Sequence, residues 1–477
     1  MISISSAFSF AAKTKQAKDG SEIAIDYLNK SVSVYDKLQK SIWREAELGF
    51  IETNSSNLLQ KQLKENGFTI ESGVAGMPTA FVATYGSGSP VIGILAEYDA
   101  LPGLSQDTVP FVKPLVIGGS GHGCGHNVFG VGSSAGAIAI KQWLEQTKHV
   151  GTIKVFGTPA EEGGGGKVYL VREGAFKGVD VVLDWHPAGG NGVSTDTGTA
   201  IQMIDYSFYG KAAHAAGSPD KGRSALDGVE SLDYMVNMLR EHVPSSSRIH
   251  YVIPNGGDAP NVVPAYARVS YYIRSPKREI LKNLVTWINQ AAEGAALGTQ
   301  TKVKEEIVSG FYEKLYNKTL AEVLQKKLET VGGVVYNDRE KAFAEEIIKT
   351  YNEKDTILAN AQKVKALGVE KVSQGGGSSD VGDVSWNVPT VSFGTAAFVP
   401  GSAGHSWQNV AAAGSTIGTK GLINAAKVFS LTAIELYTNL NLVKLATQEF
   451  DKRRGPDFKY ESLLGNRAPA LDYRVKK

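Results

Sequence analysis

Four short apolar runs, rich in valine and isoleucine, alternate with longer and more polar stretches along the 477-residue chain. Runs of this length and composition are typical of buried parallel strands. One of the intervening stretches, 133–146, has the periodicity of a helix. Strands that alternate with helices predict an α/β fold whose mostly parallel sheet is covered on both faces. The four runs are 90–95, 152–156, 179–183 and 388–393.

The hydrophobic pattern changes near residue 200. Strand-like runs at 201–209, 248–253 and 267–273 are accompanied by two helical patterns. In the second of these, Trp287 is predicted on the apolar side of the helix, with Ile280, Leu284 and Ala291. A strand, helix, two strands and a helix make a compact α+β unit of about 110 residues, which is a plausible domain size. Because the strand pattern of the first part resumes later, we expect this unit to be an inserted domain.

The remaining segments complete the predicted domain organisation. Residues 317–367 are predicted to be mostly helical, and the charged, aperiodic composition of the last residues predicts a wrapped or loose tail. The predicted division is 1–198 and 313–447 for the two parts of the α/β domain, 199–312 for the inserted α+β domain and 448–477 for the tail.

Composition limits the classes of function. Apolar residues make up 42% of the chain, charged residues 21%, and the formal net charge is +2, as in ordinary soluble globular proteins. With no block of basic residues, a nucleic-acid or membrane surface is not expected, and no apolar run approaches the roughly 20 residues that span a bilayer. The single cysteine, Cys124, excludes an intrachain disulfide and fits a reducing compartment. We therefore expect a cytoplasmic protein, with the periplasm as the alternative if residues 1–12 are the remnant of a signal peptide.

Each of the four apolar runs leads into residues that can bind a metal ion or transfer a proton. In open α/β sheets the functional crevice lies at the carboxyl ends of the strands, so these residues are predicted to meet at one edge. Four independent strands that deliver such groups to one edge are hard to explain by chance. In chain order the residues are Glu97 with Asp99, Glu161 with Glu162, His186 and His405.

Cys124 and His126 lie between the first two runs, two residues apart and flanked by glycines. The glycines allow close backbone packing, so both side chains can point at one ion. A thiolate, imidazoles and a carboxylate together suit zinc, and also manganese or cobalt when carboxylates and water complete the shell. Taken alone, however, a single cysteine is more often a small buried hydrophobic residue than a ligand.

The adjacent Glu161 and Glu162 divide naturally into two roles. One carboxylate can bind a metal while its neighbour accepts a proton from the attacking water. Without context, a pair of glutamates is normally part of a solvated surface. Here a buried strand precedes the pair and four glycines follow it, which argues against a plain surface run.

Together these motifs resemble the amidohydrolase branch of the two-metal aminoacylase/carboxypeptidase superfamily. Within it, the chain is most similar to the aminobenzoyl-glutamate utilisation protein B group, and the likeness covers nearly the whole sequence. Supporting segments are 120–124, 161–167 and 379–386. The motifs are Gly-Cys-Gly-His-Asn at 123–127, Pro-Ala-Glu-Glu-Gly at 159–163, Trp-His-Pro at 185–187 and Gly-His-Ser at 404–406.

The resemblance implies one or two divalent ions per subunit, Mn²⁺ or Zn²⁺, and Glu161 as the general base. The wider superfamily has His-x-Asp where this chain has Glu97-Tyr98-Asp99, and the amidohydrolase branch uses the cysteine instead. Asp99 is then expected to orient one of the metal ligands through a hydrogen bond, without binding the metal itself. The metal ligands that the resemblance implies are Cys124, His126, Glu162, His186 and His405.

The inserted domain resembles the lid and dimerisation domain of this branch. His214 matches the lid histidine that stabilises the oxyanion, often from the partner subunit, although by itself it would be read as a surface histidine. Asn261 and Arg274 match substrate-contacting positions. Arg274 is able to pair with a substrate carboxylate, but a solvated arginine is nearly as plausible. A homodimer through the lid domain is expected, with a related subunit as the alternative partner.

The resemblance implies a metal-dependent hydrolase of N-acyl or N-aroyl amino acids, with p-aminobenzoyl-glutamate-like substrates as the best candidates. Two alternatives stay open at this point, because fold alone does not decide function. One is a binding or scaffold protein that keeps the fold without catalysis. The other is a deacetylase of small amines, which differs only in substrate.

Overall fold

The computed structural model describes residues 20–351, 354–374 and 376–474, so the signal-like segment 1–12 lies outside the described residues. The strands are β1 Thr69–Ser72, β2 Phe81–Ser87, β3 Val91–Ala96, β4 Gly151–Gly157, β5 Val181–Ala188, β6 Gly192–Val193, β7 Ala200–Tyr209, β8 Arg248–Asn255, β9 Tyr266–Ser275, β10 Lys302–Phe311 and β11 Thr390–Ala396. The helices are α1 Ser21–Lys30, α2 Val32–Glu45, α3 Thr53–Glu65, α4 His126–Thr147, α5 Gly166–Arg172, α6 Ala225–Leu239, α7 Arg278–Thr299, α8 Lys318–Val331, α9 Asp338–Lys349, α10 Val381–Ser385, α11 Trp407–Ala413, α12 Thr416–Thr438 and α13 Leu440–Arg454.

The larger sheet has seven strands in the order β1-β2-β4-β3-β5-β11-β6. Its centre, β4-β3-β5-β11, is parallel, and these are the four strands predicted from the apolar runs. The outer strands β2, β1 and β6 run antiparallel to their neighbours. The predicted α/β class with a mostly parallel sheet is therefore confirmed, with an antiparallel margin added on each side.

Helices α4 and α12 pack against each other and against the central strands. Glycines in α4 make this contact close: a Cβ atom at Gly132 would lie 2.8 Å from the Trp185 ring, and one at Gly136 would lie 3.0 Å from Phe429. A side chain at either position would have to displace one of these aromatic rings. The tight packing anchors the amino end of α4, where His126 is the first residue.

The smaller sheet is antiparallel, with the strand order β10-β7-β9-β8, and α6 and α7 pack on it. Strand β10 was not predicted, because its first half is charged and mostly exposed, as befits an outer strand. The predicted position of Trp287 is wrong, since 46% of its surface is exposed. The buried side of α7 is formed instead by residues that include Leu281, Leu284 and Ile288. The exact domain boundaries stay a prediction.

The segment after the smaller sheet is mostly helical, as predicted. Helices α8 and α9 are present, but a short 3₁₀ helix, Asp355–Ala361, follows them, and 362–367 is irregular. The predicted tail begins inside α13, and its irregular part, 455–474, is wrapped onto the protein, with Leu463 and Leu464 buried. In the part of the chain that the structure describes, no helix is long and apolar enough to cross a membrane.

Candidate active site

The carboxyl edge of the four parallel strands collects the residues that the sequence singled out. Strand β3 leads into Asp99, β4 leads into Glu161 and Glu162, and β5 contains His186 near its end. The loop after β11 ends at His405. Because parallel strands present their carboxyl ends on one side, residues far apart in the chain meet there.

Two candidate metal-binding groups share the Cys124 thiol. Within each group the ligand atoms lie within 4.8 Å of one another. Cys124 Sγ is 3.4 Å from His186 Nε2, and His405 Nε2 is 3.5 Å from Glu162 Oε1. The groups are Cys124 with His126 and His186, and Cys124 with Glu162 and His405. All five ligands that the resemblance implied are thus brought together, although the assignment of each as a ligand stays a prediction.

Two non-glycine residues beside the site have left-handed backbone conformations, Ala160 with φ 58° and His405 with φ 55°. Such conformations cost about 1–3 kcal/mol each and persist only where surrounding contacts impose them. The amide of Ala160 donates to Glu52 Oε1 at 2.8 Å, and this buried carboxylate thereby holds the backbone directly before Glu161. Glu52 was not predicted from the sequence, because it belongs to no recognisable motif.

Asp99 connects two of the predicted ligands. Its Oδ1 accepts a hydrogen bond from His126 Nδ1 at 2.8 Å, and its Oδ2 accepts the backbone N–H of Glu162 at 3.0 Å. Burial acts to raise the pKa of Asp99, but the His126 ring and these hydrogen bonds outweigh it and lower the pKa. With Nδ1 engaged, His126 has only Nε2 left for a metal ion. This arrangement is the one expected for a carboxylate that orients a ligand.

Burial favours the uncharged forms of several ionisable groups in the site. Burial raises the pKa of the Cys124 thiol, and burial with the neighbouring Glu161 raises the pKa of Glu162 to about 8. Burial also lowers the pKa of His186 to about 3, so its imidazole is neutral, as metal binding requires. His186 Nδ1 lies 2.9 Å from its neighbour's carbonyl oxygen at Pro187, which leaves Nε2 as the ligand atom.

Two buried atoms of the groups that share Cys124 have no hydrogen-bond partner among the described residues, His126 Nε2 and Glu162 Oε1. Buried polar atoms are normally satisfied, and an orphaned pair in one place calls for an additional partner. Both atoms belong to the candidate metal groups. The donor set of sulfur, nitrogen and carboxylate oxygen therefore fits a divalent metal ion.

A buried lysine lies behind the site. Lys167 Nζ is 2.6 Å from Glu97 Oε1 and 2.7 Å from Asp380 Oδ1, and all three side chains are at least 99% buried. Glu97 was predicted among the strand-end residues that can bind a metal ion, but Lys167 and Asp380 were given no role, because a lysine after a glycine run is normally solvent-exposed. The only signal was that Lys167 and Asp380 fall within segments that supported the resemblance.

The predicted lid residues lie on the smaller sheet and its loops. His214 is exposed, and its Nδ1 accepts the backbone N–H groups of Ala216 at 3.2 Å and Gly217 at 3.0 Å. Asn261 is beside it, since its carbonyl oxygen accepts the Ala215 amide at 3.0 Å. The structure therefore brings His214 and Asn261 together, and neither belongs to the candidate metal groups of the described residues.

Arg274 is near the end of β9. Its guanidinium donates to Ser378 Oγ at 2.8 Å, and this hydroxyl is 2.9 Å from Thr199 Oγ1. Arg274 thus contacts the loop that precedes α10. Its predicted contact with substrate stays a prediction.

A family model described as Peptidase family M20/M25/M40 matches residues 93–430. The chain belongs to this family. One of the p-aminobenzoyl-glutamate hydrolase subunits of Escherichia coli (strain K12) is 38% identical to it over 443 residues, which cover 87% of this chain and 91% of that protein. The Xaa-Arg dipeptidase of Mus musculus is 29% identical over 444 residues, with 90% and 91% coverage.

A solved structure supports the family fold. The crystal structure of a dinuclear metal binding peptidase of the M20 family from Bacillus subtilis has a TM-score of 0.58 to this chain at 17% identity, and covers 86% of this chain and 99% of that one. At this identity the likeness concerns the fold alone. Membership of the M20/M25/M40 family confirms the predicted resemblance and the prediction of an enzyme that hydrolyses amide bonds.

Proposed function

We propose that this M20/M25/M40 peptidase is a divalent-metal-dependent hydrolase of N-acyl or N-aroyl amino acids, with p-aminobenzoyl-glutamate as the first substrate to test. The observation that carries the proposal is the pair of candidate metal groups that share Cys124, with Glu161 beside them. The substrate class is supported by the E. coli relative, of which about nine-tenths aligns with this chain.

Five side chains would hold the metal: Cys124, His126, Glu162, His186 and His405. Two overlapping groups suit one or two ions per subunit, and the mixed donor set suits either Zn²⁺ or Mn²⁺. When bound, such an ion polarises the scissile carbonyl and makes water a better nucleophile at neutral pH.

Glu161 is proposed as the general base. Its carboxylate is partly exposed and within 4.8 Å of the nearest ligand atom of His126, so it reaches both the site and solvent. It accepts a proton from the attacking water and then delivers that proton to the leaving amine nitrogen. Glu162, the next residue, lies beside His405 and is proposed as a metal ligand rather than as the base.

His214 is proposed to stabilise the oxyanion. Because its Nδ1 accepts two backbone N–H groups, the neutral ring carries its proton on Nε2, which is the donor an oxyanion needs. Asn261, beside it, is proposed to contact the substrate amide. Arg274 is proposed to bind the substrate carboxylate, since it is able to exchange its Ser378 contact for a bidentate pair.

The direct test uses protein stripped of metal by a chelator and reloaded with Mn²⁺ or Zn²⁺. We expect hydrolysis of p-aminobenzoyl-glutamate or of another N-acyl amino acid such as hippurate, and loss of that activity after chelation. Xaa-Arg dipeptides and small N-acetylated amines complete the panel. Activity only on the N-acetylated amines would favour the deacetylase alternative. No turnover of any substrate by any metal-loaded form would favour the non-catalytic alternative.

A homodimer through the smaller sheet and its helices is proposed, in which His214 acts on the partner's site. We expect His214→Ala and Glu161→Gln to be inactive alone and to recover activity when mixed. After random exchange, about half of the dimers are mixed and each has one intact site, so roughly a quarter of all sites are active. No recovery after demonstrated subunit exchange would contradict action across the dimer.

Two further proposals concern partners and compartment. The E. coli relative is named as one subunit of a hydrolase, which supports a related second subunit as the alternative to a homodimer. Co-purification at a fixed ratio would distinguish the two. A cytoplasmic location is proposed on the strength of the single free cysteine, Cys124, which suits a reducing compartment.

A further inference from the structure

The carboxylate of Glu97 approaches the predicted ligand His126 without forming a hydrogen bond to it. Glu97 Oε2 is 3.0 Å from His126 Nε2, yet neither atom has a hydrogen-bond partner within the described ranges. Both residues are at least 99% buried. Two buried polar atoms within ion-pair distance of each other that have no hydrogen-bond partner call for an additional partner that both can reach.

Lys167 anchors the other half of the same carboxylate. Its ammonium group is 2.6 Å from Glu97 Oε1 and 2.7 Å from Asp380 Oδ1. The backbone N–H of Lys167 also donates to Asp380 Oδ2 at 3.0 Å, which fixes the position of the lysine. With Oε1 held in this way, the Glu97 side chain has one free oxygen, and that oxygen is on the side of His126.

The charge balance of this cluster is incomplete. One ammonium group faces the two buried carboxylates of Glu97 and Asp380, and the His126 imidazole is 3.0 Å from the other Glu97 oxygen, so with a neutral imidazole the ionised carboxylates leave an excess of one negative charge. An uncompensated buried charge is costly unless an opposite charge or a metal ion is close. The Glu97, His126 and Glu161 ligand atoms form a third group within 4.8 Å of one another, and it shares His126 with the first metal group.

We propose that Glu97 is a further ligand of the divalent metal, through Oε2, and that Lys167 is the residue that positions it. This inference rests on the proposed function, because it adds a ligand to the same metal site. Carboxylate oxygen next to imidazole nitrogen is a common pair of ligands for both Zn²⁺ and Mn²⁺. The Lys167 ammonium would then orient the Glu97 carboxylate, as hydrogen-bonding partners of metal ligands do in other metal sites.

The experiment measures binding of Mn²⁺ alone to the chelator-treated full chain, by calorimetry and by metal analysis after dialysis. We expect Glu97→Gln to lower the Mn²⁺ affinity at least about tenfold, and Lys167→Met to lower it about 10- to 100-fold, the range found when an orienting partner is removed. The matched control is Glu313→Gln. Glu313 is also a buried glutamate in an ion pair, with Arg278 at 2.9 Å, and it belongs to none of the metal groups of the described residues.

A second readout separates a ligand from a positioning residue. With Co²⁺ in place of Mn²⁺, loss of a ligand changes the visible absorption bands, so Glu97→Gln should alter the spectrum while Glu313→Gln should not. If Glu97→Gln does not fold, Glu97→Asp keeps the charge, withdraws the carboxylate by one methylene and is expected to change both readouts in the same direction.

The possible failures are distinguishable. A wild-type chain that binds neither Mn²⁺ nor Co²⁺ would overturn the proposed function together with this inference. Wild-type affinity and an unchanged Co²⁺ spectrum in folded Glu97→Gln would overturn the inference alone. A weakened affinity with an unchanged spectrum would also overturn it, since Glu97 would then act only on His126. Undiminished Mn²⁺ affinity in Lys167→Met would overturn the role of the lysine.

Discussion

Replacing Asp99 with asparagine tests how the site holds its metal, because this one carboxylate supports two predicted ligands. It accepts the His126 ring N–H at 2.8 Å and the Glu162 backbone N–H at 3.0 Å. Asparagine has the same shape but only one accepting oxygen. In either orientation, its NH₂ group faces one of these two donors.

The size of the expected effect of Asp99→Asn follows from the hydrogen bond that is lost. A buried donor left without an acceptor costs about 1–3 kcal/mol. If the Glu162 amide is left unpaired, the cost falls on the loop that carries Glu161 and Glu162. If the His126 ring N–H is left unpaired, the ring loses its orientation. Either case weakens the metal site, and we expect Mn²⁺ affinity to fall about 10- to 100-fold, as for other partners behind metal ligands.

The assay is a Mn²⁺ titration of chelator-treated protein, together with urea denaturation without metal. The matched control is Asp383→Asn, because Asp383 is also buried and also accepts two donors, the Tyr312 amide at 2.9 Å and the Tyr460 hydroxyl at 2.8 Å. Both variants should lose stability, but only Asp99→Asn should lose metal affinity. Equal Mn²⁺ affinity in Asp99→Asn and wild type, with both folded, would refute the reasoning.

Three other changes test separate parts of the molecule. Glu161→Gln should abolish turnover with nearly unchanged metal content, because an amide cannot accept the proton, and retained activity would reject the assigned base. Cys124→Ser should lose metal on dialysis, since a hydroxyl is a poor substitute for a thiolate, and full retention would make Cys124 a packing residue. Glu313→Ala should lower the free energy of unfolding in urea by about 1–3 kcal/mol, because the buried Arg278 backbone N–H loses its acceptor while the guanidinium keeps only Glu279, and an unchanged free energy would contradict this.

Much of the fold was predictable because burial leaves a local pattern. The four apolar runs became the parallel strands β3, β4, β5 and β11, since a strand buried on both faces needs a continuous apolar sequence. Strand β10 escaped prediction because an outer strand exposes one side and tolerates charged residues. Trp287 was placed on the wrong side of α7, because an aromatic residue at helical spacing does not reveal which face meets the sheet.

For the site, the sequence alone determined which reactive side chains lie at the carboxyl ends of strands, because strand ends and their following residues are contiguous in the chain. It did not determine their partners. Asp99 meets an amide 63 residues away, and Lys167 meets Asp380 across 213 residues. Those contacts depend on the order β4-β3-β5-β11 and on the depth of burial, which turns an ordinarily exposed lysine into an anchor. Hydrogen bonds and ion pairs between distant segments leave no periodic signal, so they become apparent only when the folded chain brings those segments into contact.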